Sequence, residues 1–307
     1  MTGALLLAAW TLVAQAPAAA PAPAATEAVI VSSVENMYAR PDAASAVVSQ
    51  ALLGQVVAIV AEEGAFAHVE TPDHYRGWVA GNALFRYRSP AVPRYARQGE
   101  VAEVVALMAN LYRDPNVTTA RPKAQAPLGT RLEILSTAPL PEGHEGERWI
   151  LVRLPSGDRA YVQRGDVRMG DAAPRPGATG SDLVATARRF AGVPYLWGGM
   201  SAHGVDCSGL MSRVYAANGI DLLRDADIQF SDPRAQPVTR EALQPGDLVF
   251  FGRKSRVTHV GMYVGNGRFI SATTHETPVV HEDALDDPQW GPMYLGARRM
   301  PAVATFH

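Results

Sequence analysis

The chain has 307 residues, 47% hydrophobic and 19% charged, which excludes a disordered chain and exceeds what one ordinary domain holds. A formal net charge of −2 with no basic run leaves no electrostatic footprint for nucleic acid. One cysteine, eight scattered histidines and no CxxC or HExxH spacing point to neither an internal disulfide nor a metal site, so no metal and no cofactor are expected.

At the N-terminus, Ala4 to Val13 is a short apolar run followed by the small-x-small triplet Ala14-Gln15-Ala16. It is too short to span a bilayer and reads as a signal peptide, cut after Ala16, Ala20 or Ala24. Pro17 to Ala25 then reads as a semi-rigid Pro/Ala tether, so residues 1–24 are expected to be signal and tether on an exported protein.

From Ala28 onward, short apolar strands are punctuated by Gly, Pro and Asp, and the same order of features occurs twice. Asn36-Met37-Tyr38-Ala39-Arg40-Pro41 is echoed by Asn110-Leu111-Tyr112-Arg113-Asp114-Pro115. Leu53-Gly54 followed by Val56 to Val60 is echoed by Leu128-Gly129 followed by Arg131 to Leu135. The first unit closes on Arg76-Gly77-Trp78-Val79 and the second on Arg159-Ala160-Tyr161-Val162. Each unit is expected to be a small all-β barrel of four or five strands, over 28–98 and 99–170. The pattern resembles the bacterial SH3 domain, whose members bind peptides or cell wall or act as spacers.

Ala172 to Gly177 is a Pro/Gly linker, placed at 171–180, and Ser181 is positioned to cap a helix over Asp182 to Ala191. The only cysteine opens the next periodic segment, where Leu210, Met211, Val214 and Tyr215 share one helical face before Asn218-Gly219 closes it. Cys207 is therefore expected in a first helical turn, where free N–H groups and the helix dipole favour a thiolate. Three strand candidates follow, Asp247 to Phe251, His259 to Val264 and Arg268 to Thr273. Helices before strands indicate an α+β domain with an antiparallel sheet. Gly265-Asn266-Gly267 is a tight-hairpin signal that pairs His259 with a residue between Ser271 and Thr274. A thiol, an imidazole and a polar neighbour of that imidazole are the parts that nucleophilic thiol catalysis requires.

Four segments in order, Tyr195-Leu196-Trp197-Gly198-Gly199, Asp206-Cys207-Ser208-Gly209-Leu210, Leu243 to Phe251 and His259-Val260-Gly261-Met262-Tyr263-Val264-Gly265, resemble the NlpC/P60 family of cysteine peptidases. The resemblance implies two SH3-like barrels followed by a papain-like NlpC/P60 domain at 181–302. In architecture it is similar to the γ-D-glutamyl-L-diamino acid endopeptidases of peptidoglycan stem peptides, which implies a monomer acting at the cell wall, in the periplasm or outside the cell. It further implies Cys207 as nucleophile, His259 as general base, and Ser271 at the position where the family carries His, Asn or Gln. His275, on the same strand face, is the alternative third residue. Tyr195 and Trp197 match positions near the oxyanion and substrate, and Asp206, Ser208 and Asp225 match a pocket for L-Ala-γ-D-Glu with a free amine. Glu35, Tyr38 and Tyr75 are the candidates from the first barrel for closing that pocket. Two other readings remain at this point: a wall-binding protein with a weakened catalytic domain, and a thiol amidase on another amide.

Overall fold

The computed structural model describes residues 26–87, 92–138, 148–172, 178–254 and 256–301. The expected signal peptide and residues 173–177 of the expected linker lie outside the described residues.

The first unit contains β1 (Thr26–Ile30), β2 (Val34–Tyr38), β3 (Val47–Leu52), β4 (Val56–Glu63), β5 (Phe66–Glu70), β6 (Arg76–Ala80) and β7 (Leu84–Arg86). The second contains β8 (Glu100–Val104), β9 (Met108–Tyr112), β10 (Pro122–Pro127), β11 (Arg131–Ser136), β12 (Trp149–Arg153), β13 (Arg159–Gln163) and β14 (Val167–Asp171). Each forms a seven-stranded sheet, ordered β3-β2-β6-β5-β4-β1-β7 and β10-β9-β13-β12-β11-β8-β14. Adding seven to every label of the first order gives the second, so the duplication read from the sequence is a duplication of topology. The count of four or five strands per unit is corrected to seven, because the short edge segments at Leu84–Arg86 and Val167–Asp171 pair with the first strand of their unit. Each unit is filled from alternate strand positions: Ala28, Ile30, Met37, Val57, Ala67, Val69 and Val79 in the first, and Ala102, Val104, Leu111, Leu132, Ile150 and Val162 in the second.

The remaining chain contains α1 (Gly180–Arg188), β15 (Met200–Ser201), β16 (Gly204–Val205), α2 (Cys207–Ala217), α3 (Ala226–Phe230), β17 (Gln236–Val238), β18 (Leu248–Arg253), β19 (Arg256–Gly265), β20 (Arg268–Ala272), β21 (Val280–Ala284) and β22 (Tyr294–Arg299). The cap of α1 is Thr179 rather than Ser181. Its hydroxyl accepts from the Asp182 N–H while the Asp182 carboxylate accepts from the Thr179 N–H, a reciprocal box that starts the helix two residues earlier than expected. The three expected strands are present as the centre of a six-stranded antiparallel sheet, β17-β22-β18-β19-β20-β21, whose other members carry weaker period-two patterns.

Alternation along the central strands gives the sheet two apolar faces. Leu248, Phe250, Val260, Met262, Ile270 and Ala272 pack with Leu183, Leu210, Met211, Val214 and Tyr215 of the two long helices. Val249, Phe251, Phe269 and Ala297 on the other face pack under Trp290. The helix face read from the sequence, Leu210, Met211, Val214 and Tyr215, is at most 1% exposed, and burying each such side chain is worth about 1.5–3 kcal/mol. Apolar clusters also cross the unit boundaries: Leu53 joins the core of the second unit, and Leu128 of the second unit joins the helix–sheet core.

Candidate active site

The backbone around Cys207 is organised by Asp206, the residue that caps α2. Its carboxylate accepts from the Gly209 N–H at 2.6 Å and from the Gly198 N–H at 2.9 Å, tying the Tyr195–Gly199 loop to the first helical turn. Gly209 must be glycine here: a Cβ would stand 2.2 Å from the Gly199 carbonyl. Gly198, at φ +76°, adopts a left-handed turn and leaves room for the backbone of β3 from the first unit.

The same carboxylate is held by Arg224, which is completely buried and donates to Asp206 at 2.7 and 3.0 Å. Arg224 also donates to the Ser208 hydroxyl at 2.9 Å and, through Nε, to the Ser49 hydroxyl of β3 at 2.9 Å. A second tie runs beside it, from the Met200 N–H to the Gln50 side-chain oxygen at 2.9 Å. The first unit is thus built into the foundation of the Cys207 helix. Asp206 lines the cavity, and its carboxylate is at the same time engaged by Arg224 and by backbone N–H groups, so it also holds the local structure together. Ser208, whose hydroxyl bonds both Asp206 and Arg224, belongs to the same network.

His259 lies on β19 with its Nε2 3.0 Å from the Ser271 hydroxyl on β20. The hairpin explains the contact. Gly265, Asn266 and Gly267 all take positive φ, and the pairing of Met262 with Ile270 runs back to set Gly261 across from Ser271. A Cβ at Gly261 would stand 2.5 Å from the Phe269 ring and 2.9 Å from the Ile270 carbonyl, so glycine lets this strand pair closely while Ser271 meets the imidazole two positions along the same face. Next to His259 the β18–β19 ladder slips, with Phe251 opposite His259 but Gly252 opposite Val257, and such bulges re-aim nearby side chains. Behind the imidazole stands Trp290, its ring stacked at 4.6 Å and 23°. The His275 ring meets Trp290 edge-on at 5.8 Å, and Ser271 rather than His275 is the hydrogen-bond partner of His259.

Cys207 and His259 line one cavity of about 740 Å³ together with Tyr195, Trp197, Asp225 and Trp290. Val48 and Tyr75 of the first unit form part of its wall. Of the three candidates from that unit, Tyr75 lines the cavity. Tyr38 instead packs edge-on against Phe66 within its own barrel, and Glu35 is not among the lining residues. Trp197 is 70% exposed at the rim. Trp290 and Arg224 are the site residues that sequence reasoning missed. Trp290 follows a polar loop with no periodic pattern, and Arg224 acts on a residue of another unit, so neither leaves a local signal.

The electrostatics differ from the thiolate expected at a helix start. Burial, with the Asp206 charge adding to it, pushes the Cys207 thiol up to about 11, outweighing hydrogen bonds from the Val260 and Ser208 N–H groups. Burial takes His259 down to about 3 against the opposing pull of Asp206. Both shifts favour a neutral thiol and a neutral imidazole in the resting pair. Burial also raises Tyr195 to about 12, with Cys207 and Asp206 contributing, so its phenol stays a hydrogen-bond donor. Asp225 caps α3 without using its side chain. Burial raises its pKa, Arg224 opposes this, and a hydrogen bond from Tyr75 holds it down further. Among the described residues no group of His, Cys, Asp and Glu is arranged to hold a metal ion.

The sequence profile of the NlpC/P60 family matches residues 192–299, and that of the bacterial dipeptidyl-peptidase Sh3 domain matches residues 37–84. A γ-D-glutamyl-L-lysine dipeptidyl-peptidase of Bacillus cereus is 33% identical over 265 residues, 82% of this chain and 74% of the relative. The protein of the same name from Bacillus subtilis is 30% identical over 72% of this chain and 71% of its own length. The crystal structure of an NlpC/P60 family protein from Bacillus cereus superposes with a TM-score of 0.77 at 27% identity, covering 90% of this chain and all of that one. With an SH3-like N-terminal unit, an antiparallel sheet behind a cysteine-bearing helix and these relatives, the chain belongs to the NlpC/P60 family of cysteine peptidases.

Proposed function

We propose that the chain hydrolyses the amide between γ-D-glutamate and the diamino acid of peptidoglycan stem peptides, and that it prefers stems with a free N-terminal L-Ala. The observation that carries this reading is the Asp225 corner of the cavity, where Tyr75 of the first unit bonds a half-buried carboxylate not spent on capping its own helix. A carboxylate so placed suits an ammonium group. The names of the Bacillus relatives, which specify a γ-D-glutamyl-L-lysine bond and dipeptide release, support the same reading.

In the proposed reaction the Cys207 proton passes to the free Nδ1 of His259 as sulfur attacks the γ-carbonyl, while Nε2–H donates to Ser271. The Cys207 N–H and the Tyr195 phenol stabilise the oxyanion. The imidazolium then protonates the leaving amine, and water, deprotonated by His259, releases the dipeptide from the thioester. The second unit, which has the strand order of the first, is inferred to be a diverged second SH3 domain; it reaches the Cys207 helix through Arg213, which donates to the Leu128 carbonyl. The apolar run near the N-terminus supports export, and we propose that the protein acts as a monomer at the cell wall.

The test is release of L-Ala-γ-D-Glu from L-Ala-γ-D-Glu-diaminopimelate, compared with the N-acetylated peptide. The free-amine peptide is expected to be cleaved at least ~10-fold better, since losing a charged partner costs about 1.5–3 kcal/mol. Asp225 must be ionised to hold the ammonium, and its pKa is raised, so KM is expected to climb on acidification at a pH above the ordinary aspartate range. Tyr75→Phe removes a bond that lowers that pKa and should move the climb to higher pH. Equal cleavage of both peptides would refute the amine preference; no cleavage of either would refute the substrate.

Ser271→Ala is expected to lower kcat/KM by about 10–100-fold, the worth of a hydrogen bond to a group that becomes charged. His275→Ala, lacking that contact, should lose less than about threefold on the same scale. The reverse ranking in steady-state kinetics would reassign the third residue to His275.

A further inference from the structure

In thiol catalysis the third group has two tasks: to fix the orientation of the imidazole and to favour the imidazolium formed when the thiol proton arrives. Ser271 is poorly equipped for both. Its hydroxyl engages Nε2 alone, at 3.0 Å, carries no charge, and leaves the tilt of the ring about the Cβ–Cγ bond soft.

The tilt is constrained from the other side. The Trp290 indole lies almost parallel to the imidazole, with centroids 4.6 Å apart and planes 23° apart. Trp290 is 3% exposed and is itself locked, with Phe251 at 5.1 Å and Phe269 edge-on at 5.6 Å. An indole clamped on its own face cannot follow the imidazole if the imidazole rotates. The face it presents carries the negative lobe of an aromatic quadrupole, which attracts a cation stacked upon it.

We propose that Trp290 is a positioning residue that shares the role of third triad member with Ser271: its ring face holds the plane of His259 and favours the imidazolium as the Cys207 S–H bond breaks and an N–H bond forms at Nδ1. Ser271 then needs only to select the tautomer. The division explains how a site with a neutral hydroxyl at this position retains a directed base. The proposal rests on the reading of Cys207 and His259 as nucleophile and base, and not on the identity of the peptide. The other ionisable groups around the pair are Asp206, whose charge acts on His259, His275 and Asp283, which meet Trp290, and His281, which pairs with Asp283.

Because Cys207 is the only cysteine, its alkylation by iodoacetamide reports the pair without a peptide substrate. Trp290→Leu is expected to slow alkylation at neutral pH roughly tenfold, the fold-change of a desolvated cation–π contact, and to move the rise of rate with pH upward. Trp290→Phe, which keeps a flat face, should fall between wild type and Trp290→Leu. On the peptide, kcat should drop in the same order while KM stays within about twofold, since the indole acts through His259 rather than on ground-state substrate. Wild-type alkylation in Trp290→Leu, or equal slowing by Phe and Leu at an unchanged thermal midpoint, overturns the proposal. If the leucine variant does not fold, a phenylalanine variant that is as fast as wild type overturns it, and one that is slower yet faster than His259→Ala supports it. A peptide inert to wild type, with the alkylation order intact, overturns the proposed substrate and leaves this inference standing.

Discussion

Cys207→Ala is expected to remove hydrolysis of the stem peptide to at least ~10⁴ below wild type, because no second thiol exists in the chain to take over the attack. His259→Ala should lose a comparable factor. The double variant should be no worse than the worse single one, since nucleophile and base work as one unit and their losses do not add. The protonation states sharpen the expectation. With the thiol raised to about 11 and the imidazole lowered to about 3, the free enzyme should show no thiolate absorbance near 240 nm at neutral pH beyond that of Cys207→Ala. The proton then moves only as sulfur attacks. A difference spectrum with a thiolate band at pH 7 would overturn the neutral resting pair; dipeptide release by Cys207→Ala would overturn the nucleophile.

The largest loss of stability is expected from Arg224→Met. Removing one partner of a buried ion pair strands the other, and Asp206 is 7% exposed with its remaining contacts supplied by backbone N–H groups and a hydroxyl. The expected cost is ~3–5 kcal/mol, or roughly 10 °C or more in Tm. Replacing both residues, as Asp206→Asn with Arg224→Met, should cost less than the sum of the two single changes, because no uncompensated charge is then buried. The bond from Arg224 to Ser49 adds a second signature. The variant should loosen the first unit, read as faster amide exchange in β3, as well as the start of α2. A drop below ~1 kcal/mol with unchanged exchange in β3 would show that the arginine holds neither.

Much of this architecture was legible in the chain because its signals are local. Gly265 to Gly267 announced a hairpin, and counting back from it brought His259 within reach of Ser271 before any geometry was known. Cys207 ahead of Leu210, Met211, Val214 and Tyr215 announced a helix start. What stayed hidden depends on partners far away in sequence. The bond between Arg224 and Ser49 spans 175 positions and follows no periodicity. The upward shift of the Cys207 thiol is hidden for the same reason: the helix terminus is visible in the sequence, whereas the burial that opposes it exists only in the folded chain. The structural side of Asp206 is hidden in the same way, because a resemblance at one position carries no information on which cation pairs with it.

The wall that Val48 and Tyr75 raise at the Asp225 end of the cavity has a consequence for the order of events in wall turnover. For the proposed substrate, Asp225 sets the origin from which bonds are counted: with the ammonium held there, the amide offered to Cys207 is the one after the second residue. A stem whose terminal nitrogen is still acylated by the glycan strand has no ammonium to offer Asp225. On that proposal an amide hydrolysis that frees the nitrogen comes first, and the substrates are released fragments rather than the intact mesh.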